Sequence, residues 1–213
     1  MQSSTVELLL VLVEKICVVI VLAYLITRTK YFHNVIDKRS SFWGRLILTL
    51  AFGGLSIYGT YNRIWIFGAN AHTRDLGPMI AGLAAGPFVG LGAALIGAIH
   101  RYSLGGFTAI PCALATIISG LLGGLIYELR SKEFVGVFWA VLFAVFMQSF
   151  HMLLILLIAR PFADALQLVK EVGLLTTAAN SVGVAIFALM IVNLMRQKRT
   201  SSHLKIKSLE QNH

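Results

Sequence analysis

Six apolar blocks, at about 6–26, 42–59, 76–99, 106–127, 134–158 and 172–195, divide this chain of 213 residues. Each is about 18–25 residues long, and at about 1.5 Å per residue a helix of that length crosses some 30 Å of hydrocarbon. No water is available there to backbone N–H and C=O groups, so they must pair within the segment. No barrel-type alternation is present, and helix is the remaining solution. A water-soluble domain of this size is excluded by composition, which is 57% hydrophobic and 13% charged with a mean hydropathy of +0.80. The sequence therefore predicts an all-α, polytopic membrane bundle. A net charge of +9 would point to nucleic acid in a soluble chain. Here the basic residues flank the apolar blocks, where they set orientation, and nucleic acid is not an expected partner. Cys17 and Cys112 sit in apolar segments without metal or redox spacing, so neither a metal nor a cofactor is expected. The first block lacks a small-residue cleavage site after a short core and reads as a retained anchor helix over 1–30.

Charge decides how many times the chain crosses. If the block 76–99 were one continuous helix, the flanking Lys and Arg residues would divide eight against nine, which is no bias. Gly86-Pro87 lies in the middle of that block. If 76–85 and 88–99 are instead two half-length helices that dip in and return, the division becomes twelve against five. The positive-inside tendency favours this second arrangement, and proline supplies a local reason for the break. A kinked but continuous helix is the other reading. The fold-back predicts a multi-pass plasma-membrane protein with an outer N-terminus and a cytoplasmic C-terminus. Its parts are an anchor helix, a core of four full and two half-length helices over 31–196, and a basic cytoplasmic tail over 197–213. Gly82, Gly86 and Gly90 recur every four positions, and Gly120, Gly123 and Gly124 stud the fourth block, as helices packed backbone to backbone require.

On that topology Arg63, Arg74, His100 and Arg101 share the outer face. Only Asp75 is an acidic neighbour in sequence, so the guanidiniums are expected to lack carboxylate partners and to hold a small anion through their forked N–H groups. Snorkelling to lipid headgroups is the bland alternative. Helix starts at Leu76 and after Pro111 would add backbone donors and a positive dipole end. Asn70, Thr108 and Cys112 are neutral groups suited to orienting a ligand, although Cys112 reads equally well as a packed small hydrophobe. Gln148 and His151 lie on one face of the fifth block, and Thr176 and Asn180 on one face of the sixth. All four point to the same cavity depth, with interhelical hydrogen bonding as their commoner role. Glu14 and Lys15, adjacent within the first block, point to different faces of the anchor. No catalytic arrangement of nucleophile, base and acid is legible.

The stretches A-N-A-H-T-R-D-L-G-P, G-P-F-V-G, H-R-Y-S-L-G-G-F-T-A-I-P-C and T-I-I-S-G-L-L-G-G closely resemble the transmembrane region of LytS/YhcK-type 5TM receptors. L-I-T-R-T-K-Y-F, ending the first helix, fits the same pattern, and the resemblance runs to about Arg199. It implies a membrane input module of the kind followed by a sensor histidine kinase, as in regulators of cell-wall hydrolysis, or by a diguanylate cyclase. It also implies that Asn70, Arg74, His100, Arg101 and Cys112 face the ligand, for which a small carboxylate such as pyruvate would suit. No kinase or cyclase sequence follows the tail, so this chain is not expected to be an enzyme. Signalling through a cytoplasmic kinase or cyclase partner is expected, as are membrane lipids and a second copy of the chain as partners. The half-helix pair joined at Gly-Pro is also similar to substrate-binding membrane subunits of vitamin transporters, which gives the alternative function.

Overall fold

A computed structural model describes residues 5–61, 64–66 and 69–210, with side chains described over 17–61 and 72–201. Arg63 and the side chains of Glu14, Lys15 and Asn70 lie outside the described residues. In chain order the elements are α1 (Thr5–Arg28), α2 (Lys30–Ile36), α3 (Phe42–Tyr61), β1 (Ile64–Ile66), β2 (Ala69–Ala71), α4 (Leu76–Ala85), α5 (Pro87–Ser103), α6 (Ala109–Leu129), α7 (Val137–Ile158) and α8 (Phe162–Glu210). The helical membrane bundle expected from the sequence is what forms, with one short antiparallel hairpin in which Trp65 pairs with Asn70. Among the described residues, α3, α6, α7 and α8 are long and apolar enough to cross a membrane.

The outer surface suits lipid. Phe42 and Trp43 at the start of α3, and Phe138 and Trp139 at the start of α7, are all exposed and lie at one end of the bundle. Tyr61, Tyr102, Phe107 and Phe162 are exposed at the other end. Two such aromatic girdles are what two membrane–water interfaces select.

The break at Gly86 is a true fold-back. Gly86 adopts φ 87°, a left-handed conformation that side chains disfavour, and Pro87 occupies the first position of α5. The Gly86 N–H donates to Gly82 O at 3.0 Å to close α4, and Gly90 N–H donates to Gly86 O at 2.9 Å to open α5. In a continuous helix Gly82 and Gly90 would stand about 12 Å apart. Here a Cβ on Gly90 would lie 2.6 Å from Gly82 Cα and 2.5 Å from Gly120 O. The backbones of α4, α5 and α6 therefore touch where all three carry glycine.

The two arms are unequal. All ten residues of α4 are buried, so it is a short rod enclosed by other helices. With 17 residues, α5 reaches further than the expected 88–99 and carries His100 and Arg101 in its last turn. The C-terminal helix also departs from expectation. Its 49 residues begin before the sixth apolar block and continue without interruption through the segment read as a tail, as far as Glu210. That is a rod of about 74 Å.

At the end away from α4's N-terminus, Lys198 of α8 donates to both carboxylate oxygens of Asp37 at 2.7 Å and to His33 O at 3.1 Å. The Lys198 and Asp37 side chains are 26% and 47% exposed, so solvent screens the pair. Asp37→Asn is expected to cost no more than about 1 kcal/mol in a denaturation midpoint measurement. A larger loss would mean the clasp is needed to seat α8.

Candidate functional site

The N-terminus of α4, the C-terminal turn of α5 and the N-terminus of α6 meet at one end of the bundle, because α4 and α5 fold back on each other. The last two turns of α7 and the first four of α8 complete the wall. They enclose a cavity of about 480 Å³ lined by, among others, Asp75, Arg101, Thr108, Cys112, His151 and Thr176. That volume falls within the usual range for small-molecule sites.

Arg74 lies beside the cavity, 1% exposed. Its Nε donates to Thr116 Oγ1 at 3.1 Å, and the Thr116 hydroxyl in turn donates to Asp75 Oδ1 at 2.6 Å. Arg74 Nε stands 3.7 Å from Asp75 Oδ1, so the expectation that this arginine lacks a carboxylate neighbour does not hold. The pairing is nonetheless partial. Nη1 and Nη2 of Arg74 are both buried with no hydrogen-bond partner. A buried guanidinium left with its fork empty is costly and calls for an acceptor.

Asp75 precedes α4 as its N-cap residue but makes no side-chain cap bond. Its carboxylate is turned across the bundle instead. Besides Thr116, it accepts from Gln148 Nε2 at 3.1 Å and contacts His151 Nδ1 at 2.9 Å. The other ring nitrogen, His151 Nε2, lies 3.3 Å from Cys112 Sγ. With Nδ1–H donated to Asp75, Nε2 is left as the acceptor for the thiol. The imidazole stands between sulfur and carboxylate, so the three cannot converge on one ion. Among the described residues no group of three His, Cys, Asp or Glu could hold a metal.

Arg101 reaches the mouth of the cavity. Nη1 donates to Gly105 O at 2.7 Å and Nη2 to Thr108 Oγ1 at 2.9 Å. Gly105 and Gly106, at φ 68° and 89°, permit the reversal that brings this loop back over the guanidinium. Arg74 and Arg101 thus converge on the same helix. Their anchors are Thr116 of α6 and Thr108 at the N-cap of the same helix, eight residues apart and about 12 Å along its axis.

Of the remaining expected positions, Cys112 and Thr108 line the cavity, and Gln148 and His151 meet on Asp75. Asn180 spans from α8 to the segment before α4, donating to His72 O at 2.9 Å and to Thr176 O at 3.0 Å. Thr176 lines the cavity, and its hydroxyl is buried without a hydrogen-bond partner. His100 is not brought to the cavity; its ring packs against Tyr61 at 4.9 Å between centroids. Arg63 and the side chain of Asn70 fall outside the described residues. Sequence reasoning missed Asp75 as the hub and Thr116 as its bridge. Thr116 sits one turn after Cys112 in an otherwise apolar stretch, and that spacing was the available signal. Asp164 and Glu171 also face the cavity from α8, but both are exposed, where solvent weakens their field.

The family described as 5TMR of 5TMR-LYT matches residues 29–194. Sensor protein LytS of Bacillus subtilis is 33% identical over 218 residues, covering 94% of this chain and 37% of that protein. Sensor histidine kinase BtsS of Escherichia coli is 33% identical over 203 residues, covering 92% of this chain and 36% of BtsS. Sensor histidine kinase/phosphatase LytS of Staphylococcus aureus is 28% identical, covering 90% of this chain and 36% of that protein. No solved structure matches the chain. The chain spans a little over a third of the length of these curated relatives. A match over most of its length, on a chain that folds as a helical membrane bundle, places it in the 5TMR-LYT family of membrane sensor regions.

Proposed function

We propose that this chain is a signal-receiving membrane unit whose cavity takes a small monoanion, best a carboxylate, from the outer side. The observation that carries this reading is the empty fork of Arg74. Two buried nitrogens of a permanent cation point at no acceptor, and a carboxylate fills such a fork with two parallel bonds. Charge supports one negative unit. Arg74 and Arg101 outnumber Asp75 among the buried or half-buried charges at the site, and a monoanion restores neutrality. The N-termini of α4 and α6 open onto the same space and favour negative charge there.

The output runs along α8. Asp164, Gln167, Glu171 and Thr176 of α8 line the cavity, and the same helix carries Lys198 at the opposite end. A ligand that binds one placement of α8 more tightly than another shifts the population of that placement, and no other property of the ligand can transmit a signal. The uneven division of basic residues supports an outer N-terminus and a cytoplasmic end for α8. A cytoplasmic kinase is the expected recipient, with cell-wall turnover as the response to examine first, and a homodimer is the expected assembly.

The test is calorimetry on purified protein with acetate, pyruvate and the neutral analogue acetamide. Acetate and pyruvate are expected to bind saturably and acetamide not to. Arg74→Ala, which removes the empty fork, is expected to weaken binding by about ten-fold or more, as loss of a charged hydrogen bond does. Arg101→Ala should lose less, because that guanidinium already makes two bonds to its own loop. Equal affinity in all three proteins would remove the arginines from the site. Accumulation of the carboxylate inside vesicles would instead favour the transporter-subunit reading.

A further inference from the structure

Resting on the anion-site reading, we propose that Cys112, His151 and Asp75 form a nucleophilic relay through which the cavity captures oxo-carboxylates as a reversible covalent adduct on the Cys112 sulfur. Two observations support it independently. The first is the relay itself: Asp75 Oδ2 holds His151 Nδ1 at 2.9 Å, and His151 Nε2 faces Cys112 Sγ at 3.3 Å. A carboxylate that fixes the tautomer of a histidine, which in turn takes the proton of a nucleophile, is the arrangement by which enzymes activate weak nucleophiles. His151 and Asp75 are each at least nine-tenths buried, and Gln148 holds Asp75 from the same face of α7.

The second observation places the sulfur between the two cations. Thr108 at the N-cap of α6, and Cys112 and Thr116 within it, form a row with four-residue spacing, about 6 Å between successive members. Arg101 is fastened to the first member and Arg74 to the third. Cys112 is the middle member, and it is among the residues that line the cavity. A carboxylate drawn to either guanidinium therefore brings the carbon next to it towards Sγ. A simple anion receptor has no use for a relayed thiol at that position.

The step is an addition. The thiol proton passes to His151 Nε2, and the sulfur forms a bond to the carbonyl carbon. The C=O π pair moves onto oxygen, which takes the proton back from His151. Nothing is oxidised or reduced and no group leaves. The reverse sequence releases the ligand intact, as a receptor requires.

The experiment uses the full chain in lipid nanodiscs with Cys17→Ser, which leaves Cys112 as its single thiol. Alkylation rates are compared for iodoacetate and neutral iodoacetamide, with glutathione as the reference thiol. Expected is a rate for Cys112 above that of glutathione, and a preference for the anionic reagent over the neutral one that exceeds glutathione's by roughly ten-fold or more, since like-charged clefts concentrate oppositely charged reactants. His151→Gln should slow both reagents while keeping the preference, and Arg74→Gln should remove the preference. In parallel, pyruvate carrying carbon-13 at its ketone carbon is observed by NMR. A new tetrahedral-carbon signal that disappears in Cys112→Ser supports the proposal. A ketone carbon that stays trigonal while bound, or a sulfur no more reactive than glutathione, overturns it. Both readouts work without any change in Asp75, His151 or the arginines, so a variant that fails to fold does not remove the test. Acetate has no ketone carbon at which the thiol could add. Acetate binding with an inert sulfur thus sinks only the relay, whereas a reactive sulfur with no anion preference and no acetate binding sinks the anion site along with the capture it supports.

Discussion

Asp75→Ala is expected to destabilise the bundle by about 3–5 kcal/mol, the typical cost of removing one partner from a buried charge pair. The carboxylate is the common acceptor for Thr116, Gln148 and His151 and the nearest negative charge to Arg74. Without it Arg74 becomes a fully buried cation with neither counter-charge nor filled fork. Three helices lose their meeting point at once. α4 starts beside Asp75, Thr116 belongs to α6, and Gln148 and His151 belong to α7. Removing the bridge alone, as in Thr116→Val, should cost less, about 1–3 kcal/mol, because the charges stay paired. The measurement is a detergent or denaturant unfolding midpoint for the three proteins. Acetate should raise the midpoint of Asp75→Ala, because an anion that binds only the folded form stabilises it by mass action. An Asp75→Ala protein as stable as the parent would show that the hub does not hold the helices.

The second large effect belongs to the glycine seam. Gly90→Val is expected to cost at least the 1–3 kcal/mol typical of overpacking, and to separate α5 from α4 and α6. Its Cβ would meet Gly120 O at 2.5 Å, Gly82 Cα at 2.6 Å and Gly82 N at 2.9 Å. All three are backbone atoms, which cannot swing aside as a side chain does. Gly54→Ala on α3 is the matched control, since nothing lies within 4 Å of the added methyl. Unfolding midpoints should drop for the first and hold for the second. Because the seam sets the angle at which Arg74 and Arg101 approach α6, carboxylate affinity should fall with stability in Gly90→Val. A protein that keeps both would mean that α4 and α5 can move apart without disturbing the cavity.

These two predictions mark different depths of legibility. The seam could be read from spacing, because Gly82, Gly86 and Gly90 repeat at four residues and Gly86-Pro87 carries its own conformational instruction. The spanning blocks were equally legible, since hydrophobic length is a local property of the chain. Where α5 and α8 end was less so. Polar residues such as His100 and Arg101 look like loop, yet the helix continues through them, and α8 continues through charged sequence as far as Glu210.

The sequence by itself determined that the chain crosses a membrane as helices, and its charge division and Gly86-Pro87 favoured a turn back that carries two arginines 27 positions apart to one end. Tertiary structure alone decided what those arginines meet. Arg74 reaches Thr116 across 42 residues, His151 reaches Asp75 across 76, and Cys112 meets His151 across 39. Periodicity reports which face of one helix is apolar, but not which residue of another helix will stand opposite. That depends on the register in which glycine lets the backbones of α4, α5 and α6 close together.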